Sequence, residues 1–197
     1  MRLSPEPAAA EKRRLRLILL ARRRGVSRDF SSEAGRQVAL RLSVAPEYQH
    51  CRRLVVYAEL PDELPLASVV SLAQADGKRL LFPRTLPGSR LSWSSVDRIE
   101  DLRPGRYGVR EPSAEAAVEA LGPDVLVLVP GVAFDEHGGR LGRGGGAWDR
   151  ALVDRRAAPV FGVGFELQVI ERVPREEHDQ AMDALLTEVG LRRFSRP

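Results

Sequence analysis

The stretch "GGRLGRGGGAWDR", residues 138–150, holds six glycines around a single Trp and a single Asp. Gly142, Gly144, Gly145 and Gly146 carry no side chain, so their backbone N–H groups can turn inward and come close to an anion. Arg140 and Arg143 add fixed positive charge. Phosphate is the anion such a loop suits; from glycine content alone a surface turn suits it equally. The formal GxGxxA match at Gly142, Gly144 and Ala147 does not read as a dinucleotide fingerprint, because Gly142 lies about a dozen residues beyond the preceding apolar run. A Walker A loop is excluded, since no Gly-Lys-Ser/Thr follows.

A second group of cations lies near the N-terminus. At 100° per residue Lys12, Arg16 and Arg23 fall within about 40° of one another on a helix, so one face could reach phosphates. A solvated helix edge is the bland alternative. Residues 1–30 hold nine Lys or Arg and three acids, whereas the whole chain carries +4, so the basic excess is local. No nucleic-acid motif or aromatic platform accompanies it, which argues against nucleic acid as the partner.

These groups need elements to position them. Residues 8–24 predict a helix closed by Gly25, and a second helix starts near Ser27 and ends before Pro46. "RLVVYA" (53–58) predicts a buried strand, 66–76 a helix, and "KRLLFP" (78–83) a further strand, together a βαβ unit. The runs 124–130 and 158–166 predict two more strands, separated by the glycine loop and a helix near 147–156. The region 83–113 reads as a loop-rich flap. The expected architecture is a single α/β domain over 1–197, its largely parallel central sheet flanked by helices and carrying a glycine-rich phosphate-binding loop. In such sheets ligands sit outside the carboxyl ends of the strands, where Pro130 and Gly131 emerge.

Composition sets the outer bounds. With 43% hydrophobic and 29% charged residues and no apolar run near the roughly 20 residues of a membrane span, no membrane partner is expected. The sole cysteine, Cys51, cannot form an internal disulfide, and no secretory signal is visible, so a cytoplasmic monomer is expected.

The order of the short motifs is more specific than any one of them. "KRRLR", "YAELPDEL", "GKRLLFPR", "YGVREP", "VLVPGVAFDEHGGRLGRGGGAWDR" and "GVGFELQVIERVPREEHDQAMDALLTE" follow one another along nearly the whole chain. In this order the sequence resembles the 5-formyltetrahydrofolate cyclo-ligase (methenyltetrahydrofolate synthetase) family. The resemblance implies ATP-dependent cyclisation of 5-formyltetrahydrofolate to 5,10-methenyltetrahydrofolate, with release of ADP and phosphate and with Mg2+ present. It places ATP on Lys12, Arg16, Arg140, Leu141, Gly142, Arg143, Gly144, Gly145, Gly146, Ala147 and Trp148. It places folate on Ala58, Glu63, Pro130, Gly131 and Phe134, and on the loop at Arg143, Gly144, Gly145, Gly146 and Ala147. Asp149 and Asp179 align with the metal ligands, and Arg143 and Asp149 take the catalytic roles. Three departures stand out: Ala147 and Trp148 replace two tyrosines common in the family, and Leu66 replaces a threonine. They leave open a repurposed nucleotide-binding paralogue acting on another N-formyl or amide-like substrate. A nucleic-acid-binding protein using the arginine helix is the third alternative.

Overall fold

The computed structural model describes residues 5–194; the ends of the expected 1–197 span, 1–4 and 195–197, lie outside the described residues. The chain opens with α1 (Pro5–Arg24), α2 (Arg28–Ser43) and the short α3 (Pro46–His50). It continues through β1 (Arg53–Val55), α4 (Ala67–Ala75), β2 (Arg79–Leu86) and β3 (Arg90–Ser95). Three two-residue strands follow, β4 (Arg103–Pro104), β5 (Arg110–Glu111) and β6 (Val118–Glu119), and then β7 (Val125–Pro130). The ribbon of β8 (Ala133–Phe134) and β9 (Arg140–Leu141) leads to α5 (Ala147–Leu152) and β10 (Val160–Val163), and β11 (Ala184–Leu186) and β12 (Leu191–Arg193) end the chain.

Eight strands form one sheet in the order β12-β11-β10-β7-β1-β2-β3-β6. The inner five run parallel, and β12, β3 and β6 add antiparallel edges. Parallel strands covered on both faces read as continuous apolar runs. β7 does so, with Val125, Leu126, Val127, Leu128 and Val129 fully buried. One apolar cluster packs a sheet face against α2 and α4 through Val38, Leu42, Val69 and Ala73. A second joins the other face to α5 through Leu152. A third and smaller cluster holds α1, with Leu19 against Val132, Ala133, Leu141 and Val173.

The expected βαβ unit forms, with β1 parallel to β2 across α4. The region expected as a flap is partly sheet instead: β2 runs on to Leu86 and returns as β3 in an antiparallel hairpin. Pro83 within β2 is tolerated because β1 pairs with β2 only as far as Leu81, which leaves a free edge beyond it. The helix expected near 147–156 stops at Leu152, and Arg156 and Ala157 take left-handed φ values of 48° and 66° that no helix continues through. β11 and β12 were not expected, each being three residues long.

Candidate active site

β1 is followed by α4 and β2 on one side, whereas the later strands β7, β10 and β11 extend the sheet on the other. The gap between the carboxyl ends of β1 and β7 is therefore a topological switch point, where open α/β sheets leave a crevice. A cavity of about 410 Å3 opens there. Its floor is Tyr57 and Ala58 after β1, with Pro130 and Gly131 at and after the end of β7. The β2 and β3 hairpin supplies one wall through Thr85, Ser89 and Leu91, backed by Arg106 and Glu111. The glycine loop and Glu63 complete the lining.

The loop backbone leaves its N–H groups unpaired. Gly144 and Gly146 have φ of 108° and 62°, conformations that L side chains rarely adopt, and they bend the chain between β9 and α5. None of the N–H groups from 143 to 149 donates a hydrogen bond to a described residue, so a run of donors is left for a ligand. Arg16 Nε donates to Gly142 O at 2.9 Å and fixes the start of the loop to α1.

Three sets of ion pairs surround it. Arg23, almost fully buried, donates to Asp62 Oδ2 at 2.6 Å and to Gly131 O at 3.0 Å, tying α1 to both halves of the cavity rim. Arg143 reaches the same turn, 2.8 Å from Asp62 Oδ1 and 3.5 Å from Glu63 Oε1. Burial alone would raise the Asp62 carboxyl, but Arg23 and then Arg143 bring it below its ordinary value. Lys12 is buried between Glu176 and Asp179, at 2.6 and 2.7 Å. Burial disfavours its charge, yet the two carboxylates outweigh burial and raise its pKa. Buried Arg140 donates to Asp149 Oδ1 at 2.8 Å and to Pro130 O, and its Nε has no partner among the described residues.

A 5-formyltetrahydrofolate cyclo-ligase family model matches residues 8–188. The chain belongs to that family. It is 30% identical to 5-formyltetrahydrofolate cyclo-ligase of Escherichia coli strain K12 over 171 residues, 84% of this chain and 94% of the relative. The enzyme of the same name from Mycolicibacterium smegmatis is 31% identical over 186 residues, covering 89% and 93%. Among solved structures, Aquifex aeolicus 5,10-methenyltetrahydrofolate synthetase superposes with a TM-score of 0.80 at 32% identity, over 94% of each chain.

Within this cyclo-ligase fold most residues singled out from the sequence meet at the switch point. Ala58, Glu63, Pro130, Gly131, Arg140, Gly142, Arg143, Gly145, Gly146, Ala147, Trp148 and Asp149 line the one cavity. Lys12 and Asp179 stand apart from it and are bonded to each other, while Arg16 lies behind the loop, near Gly144. Phe134 departs from its expected place on the folate wall. Its ring is wholly buried beneath Gly131, where an added Cβ would lie 2.6 Å from the ring edge. The Leu141 side chain likewise lies in the α1 cluster rather than at the cavity. Trp148 stacks at a tilt on Trp93, ring centres 5.5 Å apart, so part of its surface is committed to the core.

Sequence reasoning passed over several cavity residues. Tyr57, the residue before Ala58, is buried, and its hydroxyl has no hydrogen-bond partner among the described residues. Burial, then Glu63 and Glu59, hold that hydroxyl well above the ordinary phenol value, so it remains a donor. An aromatic hydroxyl closing a predicted buried strand was the available signal. Glu111, inside the quoted "YGVREP", accepts from Thr85 Oγ1 at 2.6 Å and fastens β5 to the hairpin wall.

Proposed function

We propose that this chain closes the ring of 5-formyltetrahydrofolate at the expense of ATP, giving 5,10-methenyltetrahydrofolate, ADP and phosphate. The observation that carries the reading is the cavity itself, which a carboxylate, Glu63, and a glycine loop with unused N–H donors line together. A carboxylate suits the paired N–H donors of a pterin ring, and the loop suits phosphates. The two substrates would meet with the formyl group between them.

The formyl oxygen attacks the γ-phosphorus, the bond to ADP breaks, and an O-phosphorylated imidate results. N10 then attacks the formyl carbon and loses its proton, and the carbon–oxygen bond breaks to release phosphate. Such chemistry needs positioning and neutralisation of charge more than a protein nucleophile. Arg143 at the rim and buried Arg140 supply fixed positive charge, while the loop N–H groups orient the phosphates.

Mg2+ fits the donor set. Asp149 accepts from the N–H of Gln180, the residue after Asp179, at 3.3 Å, and Asp179 clusters with Glu176 and His178; both carboxylates are hard oxygen donors. Each is now held by a cation, Arg140 and Lys12 respectively, and Lys12 pairs with Glu176 as well. Held by Asp149 and Asp179, the ion would supply positive charge to offset that of the phosphates.

The test is direct: purified protein with 5-formyltetrahydrofolate, Mg2+ and ATP is watched for the methenyl chromophore. Absorbance should rise only with all three present. Product without ATP contradicts the mechanism, and ATP-dependent turnover of another N-formyl substrate alone would favour the repurposed paralogue.

A further inference from the structure

Arg150 is exposed, yet its guanidinium is committed to backbone on two sides. Nη2 donates to Gly145 O at 2.5 Å and to Ser89 O at 3.1 Å. The first carbonyl belongs to the glycine loop and the second to the tip of the β2 and β3 hairpin. Gly145 and Ser89 both line the cavity, so Arg150 joins two of its segments. Arg150 itself is outside that cavity and lines a separate surface depression with Arg90 and Trp93.

We infer that Arg150 is a positioning residue that presets the phosphate loop and couples it to the β2 and β3 hairpin, an inference that rests on the ring-closing reading above. In a trans peptide the carbonyl and the following N–H point in opposite directions. With Gly145 O drawn outward to Arg150, the Gly146 N–H is turned the other way, toward the cavity that Gly146 lines. Arg16 acts alike at the other end of the loop. It holds Gly142 O at 2.9 Å, which turns the Arg143 N–H away from α1. Two arginines thus pin two carbonyls of one loop and leave its N–H groups free. Such preset donors need little rearrangement when an anion arrives.

The second bond gives the coupling. Gly88 and Ser89 both have positive φ, 75° and 54°, as a tight hairpin turn requires, and the turn presents Ser89 O to Arg150. A shift of the hairpin as folate enters would be felt at Gly145 through one side chain.

The experiment compares wild type, Arg150→Met and Arg150→Lys by calorimetric titration with ADP and by steady-state kinetics. Met keeps the apolar stem without donors, and should weaken ADP binding about tenfold or more and raise the folate KM with it. Lys, with donors but no fork, should recover part of the ADP affinity. The thermal midpoints should match, because the side chain is exposed. Wild-type ADP affinity in both variants overturns the inference. So does a loss of affinity matched by a fall in thermal midpoint in both, which would make the residue merely structural. Wild type that binds ADP with the expected Arg150 dependence but forms no methenyl product would sink the ring-closing reading while leaving the positioning role standing. Wild type that does not bind ADP overturns both.

Discussion

Arg143 Nη2 lies 2.8 Å from Asp62 Oδ1, while Arg23 Nη2 lies 2.6 Å from Asp62 Oδ2, so one carboxylate joins the glycine loop to α1. Because this carboxyl is depressed on folding, it adds stability above its unfolded pKa of about 3.9 and loses it as pH falls through the folded value. Asp62→Asn should therefore lower the thermal midpoint by a constant amount above about pH 5, and the difference should shrink in acid below about pH 4. Midpoints measured from neutral to acid pH check this. A difference that grows on acidification would refute it.

Lys12 was expected to touch nucleotide; in the fold its buried ammonium forms two ion pairs that join α1 to the turn at Glu176 and Asp179. Lys12→Met should destabilise the chain by about 2 kcal/mol, below the fully buried case because Glu176 is a third exposed. Since the lysine pKa is raised on folding, this contribution is full below its unfolded value, about 10.4, and fades as pH rises through the folded one. Urea unfolding at neutral pH measures the cost. An unchanged midpoint would return Lys12 to a ligand-only role.

Glu63 and Tyr57 line the cavity where folate is proposed to bind, and Glu63 Oε2 is already held by the Leu60 N–H at 3.0 Å. Glu63→Gln preserves shape and should raise the folate KM about tenfold with little effect on the ATP KM. Tyr57→Phe should act in the same direction and less. Equal changes in both KM values would mean that Glu63 supports the site only indirectly.

Two neighbouring glycines should separate binding from folding. An added Cβ at Gly145 meets no atom within 4 Å, so Gly145→Val should fold normally yet bind ADP poorly, because the side chain blocks backbone approach. Gly144 has φ of 108°, so Gly144→Ala should lose about 1–3 kcal/mol of stability as well. Calorimetric titration beside thermal unfolding reads the two effects. Normal ADP affinity in Gly145→Val would leave the loop a surface turn.

The parts legible in the sequence were those that report themselves locally. The apolar run of β7, the α1 face carrying Lys12, Arg16 and Arg23, and the βαβ unit all follow from period and punctuation. Partners far apart in the chain left no such trace. Nothing near Lys12 announces Glu176 or Asp179, and nothing near Arg23 announces Asp62, so charges read as ligands for phosphate proved already bonded within the protein. The family resemblance supplied the roll of site residues, but not which of them hold one another. Phe134 misled for a related reason: three glycines, Gly131, Gly162 and Gly164, make room for its ring in the core, and only the fold brings them together.

The smallest apolar cluster fastens α1; Arg16 and Arg23 tie the helix to Gly142 of the loop and to Asp62 and Gly131 beside the cavity, and Lys12 ties it to Glu176 and Asp179. Occupancy of the cavity and detachment of α1 are therefore two readings of one equilibrium. Amide protons of α1 should exchange with solvent well before those of β7 in the free chain, and ADP with Mg2+ should slow the former while leaving the latter unchanged. The first helix thus becomes a built-in reporter of whether the site is filled, legible by hydrogen exchange without any turnover.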